Sequence, residues 1–464
     1  MDATYISSNQ FSVSGDRSLE FIPNRRLKIN LAGDGIIYDS VSTSSYSVPD
    51  TIVTTTESGL TANLTDVLYG IVEPGISGSL PNHNHDGSEG SGGVVTDTYL
   101  VGGSELGSTL NLYISVSGSD TTGDGSLENP YATFSGPVNY FRTMQIAPAT
   151  YIYINFLDGV HTLNSLSINT THLPYHDRMY IYGTTVLLRN ITSVQSSSGS
   201  AGGYSVIYNL DDVSNMNVGE YVLVNDNATG GTNPKYACGV HEITNVDAVN
   251  SRITVLSTHR KGSPSGAVTA TIEVFKTIIN QYSTSNGISA QFGKHLKIGG
   301  FVLVGGTSGT GIVSADGGSI VRDSSSFPVG ISGFATGAYA ARNGFLDISQ
   351  CGASGANGYG VYVQETATMR GSNLVVSGSN SHGIVSLYSG QFQGNNSVST
   401  GHNGIGYYAI YTSYIHVSPS HSTGNVGVGW YANYNSVIRR TGTCTGGNNS
   451  SDTGTTNGSY IQTA

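Results

Sequence analysis

Glycines recur along the C-terminal half of this chain at a nearly constant interval. They open successive units at Gly287, Gly311, Gly337, Gly360, Gly383, Gly406 and Gly429, with spacings of 24, 26, 23, 23, 23 and 23 residues. A second glycine falls eighteen residues into six of the seven units, at Gly305, Gly355, Gly378, Gly401, Gly424 and Gly447; the second unit has Val329 there, followed by Gly330. Nine residues into the last four units stands an apolar column, Met369, Phe392, Ile415 and Ile438. The position after the opening glycine carries Val361, Ile384, Tyr407 and Trp430. A glycine at fixed phase marks a bend that needs positive φ or a close backbone approach. The segments between are rich in Val, Ile, Tyr, Ser and Thr, a strand composition. A 23-residue unit is too short for a strand–helix–strand crossover, and it has no 3.6-residue apolar period. The pattern predicts an all-β chain with one coil of a parallel β-helix per unit. Equivalent residues then stack about 4.8 Å apart, and each coil pairs only with its neighbours.

Composition agrees with that prediction. The chain has 464 residues, enough for roughly two to four domains. Only 11% of residues are charged, against about 25% in ordinary globular domains. Stacked coils whose outer faces are hydroxyl and amide ladders need few charges. Disorder is excluded because 37% of residues are hydrophobic. The net charge of −11 speaks against nucleic acid as a partner. No apolar run reaches membrane-spanning length. Met1-Asp2-Ala3-Thr4-Tyr5 has neither the basic nor the apolar region of a secretory signal, so synthesis in a cytoplasm is expected. Cys238, Cys351 and Cys444 show no metal or disulfide spacing and read as small hydrophobes.

In chain order, residues 1–75 read as a small β module. Leu27–Leu31 alternates apolar and polar residues, Thr51–Thr54 is β-branched, and Gly33-Asp34-Gly35 is a hairpin signal. Residues 76–110 are a Gly/Ser-rich neck containing Asn82-His83-Asn84-His85-Asp86-Gly87. Residues 111–464 hold the β-helix, with an opening cap at 111–150 and a β insertion at about 200–265. In the cap, Asn129-Pro130 predicts a helix start. Phe134, Val138 and Phe141 share one helical face, and Pro137 predicts a break with a restart. Asp120 and Asp124 have the D-x-x-x-D-G spacing of a loose calcium motif but read better as turn residues. "NVGEYVLVND" and "CGVHEITNVDAVNSRITVLS" predict three or four antiparallel strands in the insertion. His259-Arg260-Lys261 is a basic cluster that reads as solvated surface.

Several stretches carry a resemblance. "FSVSGDRSLEFIPNRRLKINLAGDGIIYDSV" and "LTANLTDVLYGIVEPG" resemble a module at the virion-proximal ends of bacteriophage tail fibres and spikes. "YISVSGSDTTGDGSLENPYATFSGPVNYF" resembles the start of phage β-helices, and "NHNHDG" is similar to the His-x-His elements of phage fibre shafts. Anchor, neck and β-helix follow in the order found in tail fibres and tailspikes. The resemblance implies a right-handed, pectin-lyase-like parallel β-helix, a homotrimer and a place in the virion tail. It also implies attachment to tail or baseplate proteins through the N-terminal module, and recognition of a host surface polysaccharide. For the neck it implies a transition metal ion, iron by preference, held on the trimer axis by His83 and His85.

The metal reading also has a geometric footing. Residues i and i+2 of an extended segment project to one side. Two imidazoles do not close a site, but two from each of three parallel chains make an octahedral set; imidazole suits iron, nickel, copper or zinc, and six-coordination disfavours zinc. The alternative is a solvated polar linker.

The regular coils offer candidates for two kinds of chemistry. Five places after the opening glycines stand Asp316, Arg342 and Glu365. Two carboxylates two coils apart, roughly 10 Å, flank a cation. Glycoside hydrolysis needs carboxylates about 5–5.5 Å or 6.5–9.5 Å apart, so the column reads more naturally as an ion ladder. Asp323 and Asp347 are a second candidate pair. The same phase in the last coils carries Tyr388, Tyr411 and Tyr434, with Tyr414 and Trp430 in the same coils. Aromatic faces pack on the C–H faces of sugars at little entropic cost. The ladder reads equally as a core stack, because the residues before it do not set the strand's inward parity. Binding of host glycan without cleavage is the expectation. The alternatives are a depolymerase acting as glycosidase or lyase, and a non-binding spacer, the latter suggested by a chain that stops about one coil past the last repeat.

Purified trimer is expected to contain about one transition-metal ion per three chains, the stoichiometry of an octahedral site fed by two imidazoles per chain. Elemental analysis checks this, and a His83→Ala, His85→Ala double variant should lose the metal.

Overall fold

The computed structural model describes residues 2–69 and, within 100–463, all but 102–108, 144, 147–149, 164–167, 170–177, 201–202, 226–237, 259–270, 324–326, 443 and 448. His83, His85 and the His259-Arg260-Lys261 cluster lie outside the described residues. The chain divides into two compact units, Met1–Thr96 and Asp97–Ala464.

Among its described residues, the first unit is one six-stranded sheet in which every pair is antiparallel. The hairpin expected at Gly33-Asp34-Gly35 joins Arg26–Leu31 to Gly35–Ser47, and both glycines have positive φ. Alternation places Leu27, Ile29 and Leu31 on the inner face with Phe11, Phe21, Val41, Val53 and Val67, all buried.

The second unit is a parallel β-solenoid of about 11 turns, the coils roughly 23 residues apart. Each regular coil contributes one strand to each of three sheets. In one coil these are Val361–Gln364, Thr368–Arg370 and Val375–Ser377. Sheet I has eleven strands, from Thr109–Ile114 to Tyr460–Thr463. Sheet II has nine, from Gly159–Thr162 to Thr445–Gly447, and sheet III nine, from Ile168–Asn169 to Ser451–Thr455.

The two glycine phases serve different ends. The opening glycines sit where coils meet most closely: a Cβ on Gly337 would lie 2.4 Å from the Gly360 carbonyl oxygen, and one on Gly383 2.7 Å from that of Gly406. The second glycines, Gly355, Gly378, Gly401 and Gly424, have φ between 64° and 68° and make a left-handed corner after sheet II.

The core is made of in-register columns. Met369, Phe392, Ile415 and Ile438 stack inside sheet I, and Val361, Ile384, Tyr407 and Trp430 inside sheet III. All eight are fully buried, and each such side chain contributes about 1.5–3 kcal/mol. Where the interior is polar, coils are linked by hydroxyl and amide ladders. The Ser379 N–H donates to His402 Nδ1 at 3.0 Å, and the His402 N–H to Asn425 Oδ1 at 3.1 Å. These bonds satisfy groups whose burial would otherwise be costly.

The cap departs from expectation. Its helix, Ser135–Thr143, begins beyond the start expected at Asn129-Pro130, since Tyr131 bridges to Ile114, and it runs through Pro137 unbroken. Pro137 falls in the first turn, where backbone N–H groups have no partner within the helix. Phe134, Val138 and Phe141 are buried on the end of the solenoid core. Asp120 secures the start, accepting from the N–H groups of Ala132 at 3.0 Å and Thr133 at 2.9 Å. Asp124 accepts from the Ser126 N–H at 2.8 Å. Both carboxylates thus act as turn and cap acceptors.

The insertion is larger than expected. Six antiparallel strands from Val186–Ser200 to Thr271–Phe275 close into a barrel with its own core, including Val206, Tyr208, Ile243, Val255 and Ile272. The barrel leaves the solenoid after Met179–Gly183 and returns at Thr277–Gln281, which continues the same coil. It then lies along sheet II. A Cβ on Gly352 would meet Leu223 at 2.5 Å and Val240 at 2.7 Å, so glycine there permits the contact. The Val240 N–H donates to Ser354 Oγ at 2.7 Å. Cys238 and Cys351 are buried, and among the described residues no cysteine forms a disulfide.

Glu273 pairs in register with Leu188 and Leu223 on the outside of the barrel. Its Oε2 is buried without a hydrogen-bond partner, and desolvation pushes the carboxyl up to about 7. A raised folded-state pKa favours the protonated folded form. Stability is therefore full below the unfolded value near 4.5 and falls as pH rises to about 7, by on the order of 3 kcal/mol. Glu273→Gln should remove this fall, which thermal melts from pH 4 to pH 8 would measure. An unchanged pH profile in the variant would contradict the assignment.

Candidate functional site

From Ile288 onward, three or four residues connect each strand of sheet III to the next strand of sheet I, and two successive ones among them adopt the left-handed conformation. The first positions are Phe292, Asp316, Arg342, Glu365, Tyr388, Tyr411, Tyr434 and Asn457, with φ from 44° to 56°. The second positions are Gly293, Gly317, Asn343, Thr366, Ser389, Thr412, Asn435 and Gly458. This conformation costs a non-glycine residue about 1–2 kcal/mol. It also turns the second N–H along the solenoid axis. Thr412 N–H donates to the Tyr434 carbonyl at 3.0 Å, and Asn435 N–H to that of Asn457 at 3.0 Å. The inter-coil ladder thus continues around the corner, and each such bond returns about 1 kcal/mol.

The same geometry projects the first side chain outward. Tyr388, Tyr411 and Tyr434 are 51%, 38% and 43% exposed. Their rings stack at 4.9 Å and 4.7 Å, with interplanar angles of 6° and 15°. Each stacked pair adds about 0.5–1.5 kcal/mol. The alternative of an inward core ladder is thereby removed. Trp430 is corrected in the other direction: it is fully buried, 6.0 Å from the Tyr407 ring, and offers no surface. Tyr414 lies three residues past the turn on sheet I, half-buried and 6.3 Å from His416.

Lower in the column, Arg342 Nη2 donates to Asp316 Oδ2 at 3.0 Å, and its Nε donates to Oδ1. Arg342 holds the Asp316 carboxyl below its ordinary value, chiefly by that hydrogen bond. Glu365 Oε1 accepts from Gln364 Nε2 at 3.1 Å. Asp323 accepts from the Tyr182 hydroxyl, and Asp347 from the Ser349 hydroxyl and N–H at 2.6 and 3.1 Å. Each candidate carboxylate is therefore engaged as an ion-pair or hydrogen-bond acceptor. Among the described residues no group of three or more His, Cys, Asp or Glu side chains could hold a metal.

Beside the ladder, the outer face of sheet III adds aromatic residues that sequence reasoning passed over. Tyr339 and Tyr362 stack at 5.4 Å, Tyr359 and Tyr362 at 5.1 Å, and Tyr359 and His382 at 5.8 Å. His382 meets Tyr408 edge-on at 5.2 Å, and Tyr408 lies 5.5 Å from Tyr431. Gln364 bridges two of them, accepting from Tyr362 at 2.7 Å and donating to Tyr339 at 2.6 Å. Burial lowers the His382 pKa, favouring neutral imidazole. A signal was present: Tyr339, Tyr362, Tyr408 and Tyr431 all stand two places after an opening glycine. Only the inward parity of their neighbours was missing.

Fold and surface together define a parallel β-solenoid with an exposed aromatic corner. No protein-family profile matches the sequence, and no curated protein matches it. Among solved structures, one described as a glycoside hydrolase is similar over 76% of this chain and 96% of its own, with 8% identity and a TM-score of 0.27. Another is the Gp54 tailspike of Acinetobacter baumannii bacteriophage AP22 in complex with A. baumannii capsular saccharide. It is similar over 67% of each chain, with 9% identity and a TM-score of 0.20. At such TM-scores neither likeness decides a function.

Tyr411→Asn should be tolerated. Asparagine accepts the left-handed turn, which offsets part of the two lost ring stacks. The expected loss is no more than about 2 kcal/mol, against roughly 3–5 kcal/mol for Tyr407→Ala in the core. Comparative thermal or denaturant melts of the two variants check this.

Proposed function

We propose that this chain is a phage tail fibre or tailspike that binds a host-surface polysaccharide without cleaving it. The carrying observation is the ladder of Tyr388, Tyr411 and Tyr434. Three parallel, exposed rings on a rigid corner offer a glycan a row of ring edges and hydroxyl groups, with ring faces left for sugar C–H contact at the ends of the stack. The turn holds them before any ligand arrives, so little rotamer freedom is lost on binding. The half-buried tyrosines of sheet III supply hydroxyl groups alongside. In this reading the N-terminal module attaches to tail proteins and three copies associate in parallel, as symmetric oligomers commonly do.

The pairing of Asp316 with Arg342 speaks against Asp316 as the general acid of a hydrolase. A general acid must stay protonated near neutral pH, whereas Arg342 favours ionised Asp316. Incubation with host polysaccharide should release no reducing ends. Release that disappears in Asp316→Asn or Glu365→Gln would replace this reading with depolymerisation.

The binding test uses Tyr411→Asn in the assembled protein. Adsorption to host cells, or retention on immobilised host polysaccharide, should fall at least about tenfold, the loss of one ring worth about 1.4 kcal/mol. Undiminished retention by a folded variant would reject the ladder as the platform.

A further inference from the structure

A second aromatic cluster lies on the outer face of sheet I, in coils preceding the barrel insertion, beside a lysine of the coil that follows it. Tyr151 and Tyr153 come from Tyr151–Phe156, and Tyr180 and Tyr182 from Met179–Gly183. The strands pair in register, Tyr153 against Tyr180, and Tyr180 against Lys297 of the next coil. The Tyr153 and Tyr180 rings stack at 4.5 Å with an interplanar angle of 19°. Tyr151 lies 6.2 Å from Tyr180, and Tyr182 6.0 Å from Tyr153.

Two cations stand over these rings. Arg178 lies 4.8 Å from the centre of Tyr151, and Lys297 5.0 Å from that of Tyr180. Lys297 is exposed and makes no ion pair among the described residues. Asp323 is an acidic group at the patch and accepts from the Tyr182 hydroxyl; Asp347 lies two coils beyond Lys297 in the same column. The chain has only 19 basic residues and a net charge of −11. An acidic polymer is therefore repelled by the protein as a whole, and an exposed cation beside stacked rings marks a place where that repulsion is locally reversed. The tyrosine ladder differs, because its nearby Arg342 is already paired with Asp316.

We infer that this face is a separate binding site for an acidic polysaccharide, one containing hexuronate residues. A sugar ring packs on Tyr153 and Tyr182 while the carboxylate of that or the neighbouring residue meets the Lys297 ammonium. Charge-assisted contacts of this kind are stronger than neutral ones. Binding of the acidic chain should weaken as salt is raised, because exposed charges are screened.

Titration calorimetry on the full chain tests this with oligogalacturonate and oligomannuronate as probes, each beside its carboxyl-reduced neutral counterpart. At least one acidic probe should bind about tenfold more tightly than its reduced form. Lys297→Gln should abolish that preference, and Tyr153→Ala should weaken both forms. Tyr411→Asn should leave the preference intact, which separates this site from the ladder. Equal binding of acidic and reduced sugars, absence of binding by both acidic probes, or a preference that survives Lys297→Gln would each overturn the inference. So would a changed oligomeric state of a folded Lys297→Gln variant in sedimentation, which would make this face an interface between copies.

Discussion

The hydrogen-bonded spacing between coils governs this structure. Adjacent strands in all three sheets are parallel and in register, which sets equivalent residues about 4.8 Å apart. The glycines at Gly337, Gly360 and Gly383 stand where a Cβ would intrude on the next coil's backbone. A spacing fixed by the backbone makes every side chain part of a column. Inside, Phe392 lies on Ile415 and Tyr407 on Trp430. Outside, the same interval is close to the separation that stacked aromatic rings prefer.

The corner between sheets III and I depends on that interval. A left-handed tyrosine is unfavourable on its own. Here the following N–H groups are aimed at the next coil's carbonyls, and the rings stack on one another. Strain of this kind is common to all eight first positions and is a property of the turn. What varies is the side chain the turn displays. Ion-paired Asp316 and Arg342 give way to three tyrosines along one continuous edge.

The inserted barrel shows the opposite economy. It interrupts one coil, packs its own core, and rests on sheet II where Gly330 and Gly352 leave room. Because the coil resumes at Thr277, the solenoid core continues across the interruption. One result is that Tyr180 and Lys297, which flank the barrel in sequence, become neighbours on sheet I.

The repeat period, the parallel coil and the Met369–Phe392–Ile415–Ile438 column were legible in the sequence because a solenoid makes position modulo the period equivalent to position in space. The expectation of stacked Tyr388, Tyr411 and Tyr434 had the same source. Which side they faced was not legible. Side chains in a strand alternate with a period of two, so a one-residue difference in reading exchanges core for surface. Tyr407 and Trp430 therefore lie inside while Tyr408 and Tyr431 lie outside. The turn that points Tyr411 to solvent needs two successive residues with positive φ, and tyrosine and threonine do not announce that conformation. The tyrosine and lysine cluster of sheet I was hidden for a third reason. Its coils precede the regular repeat and are split by the barrel, so their register exists only once the strands have paired.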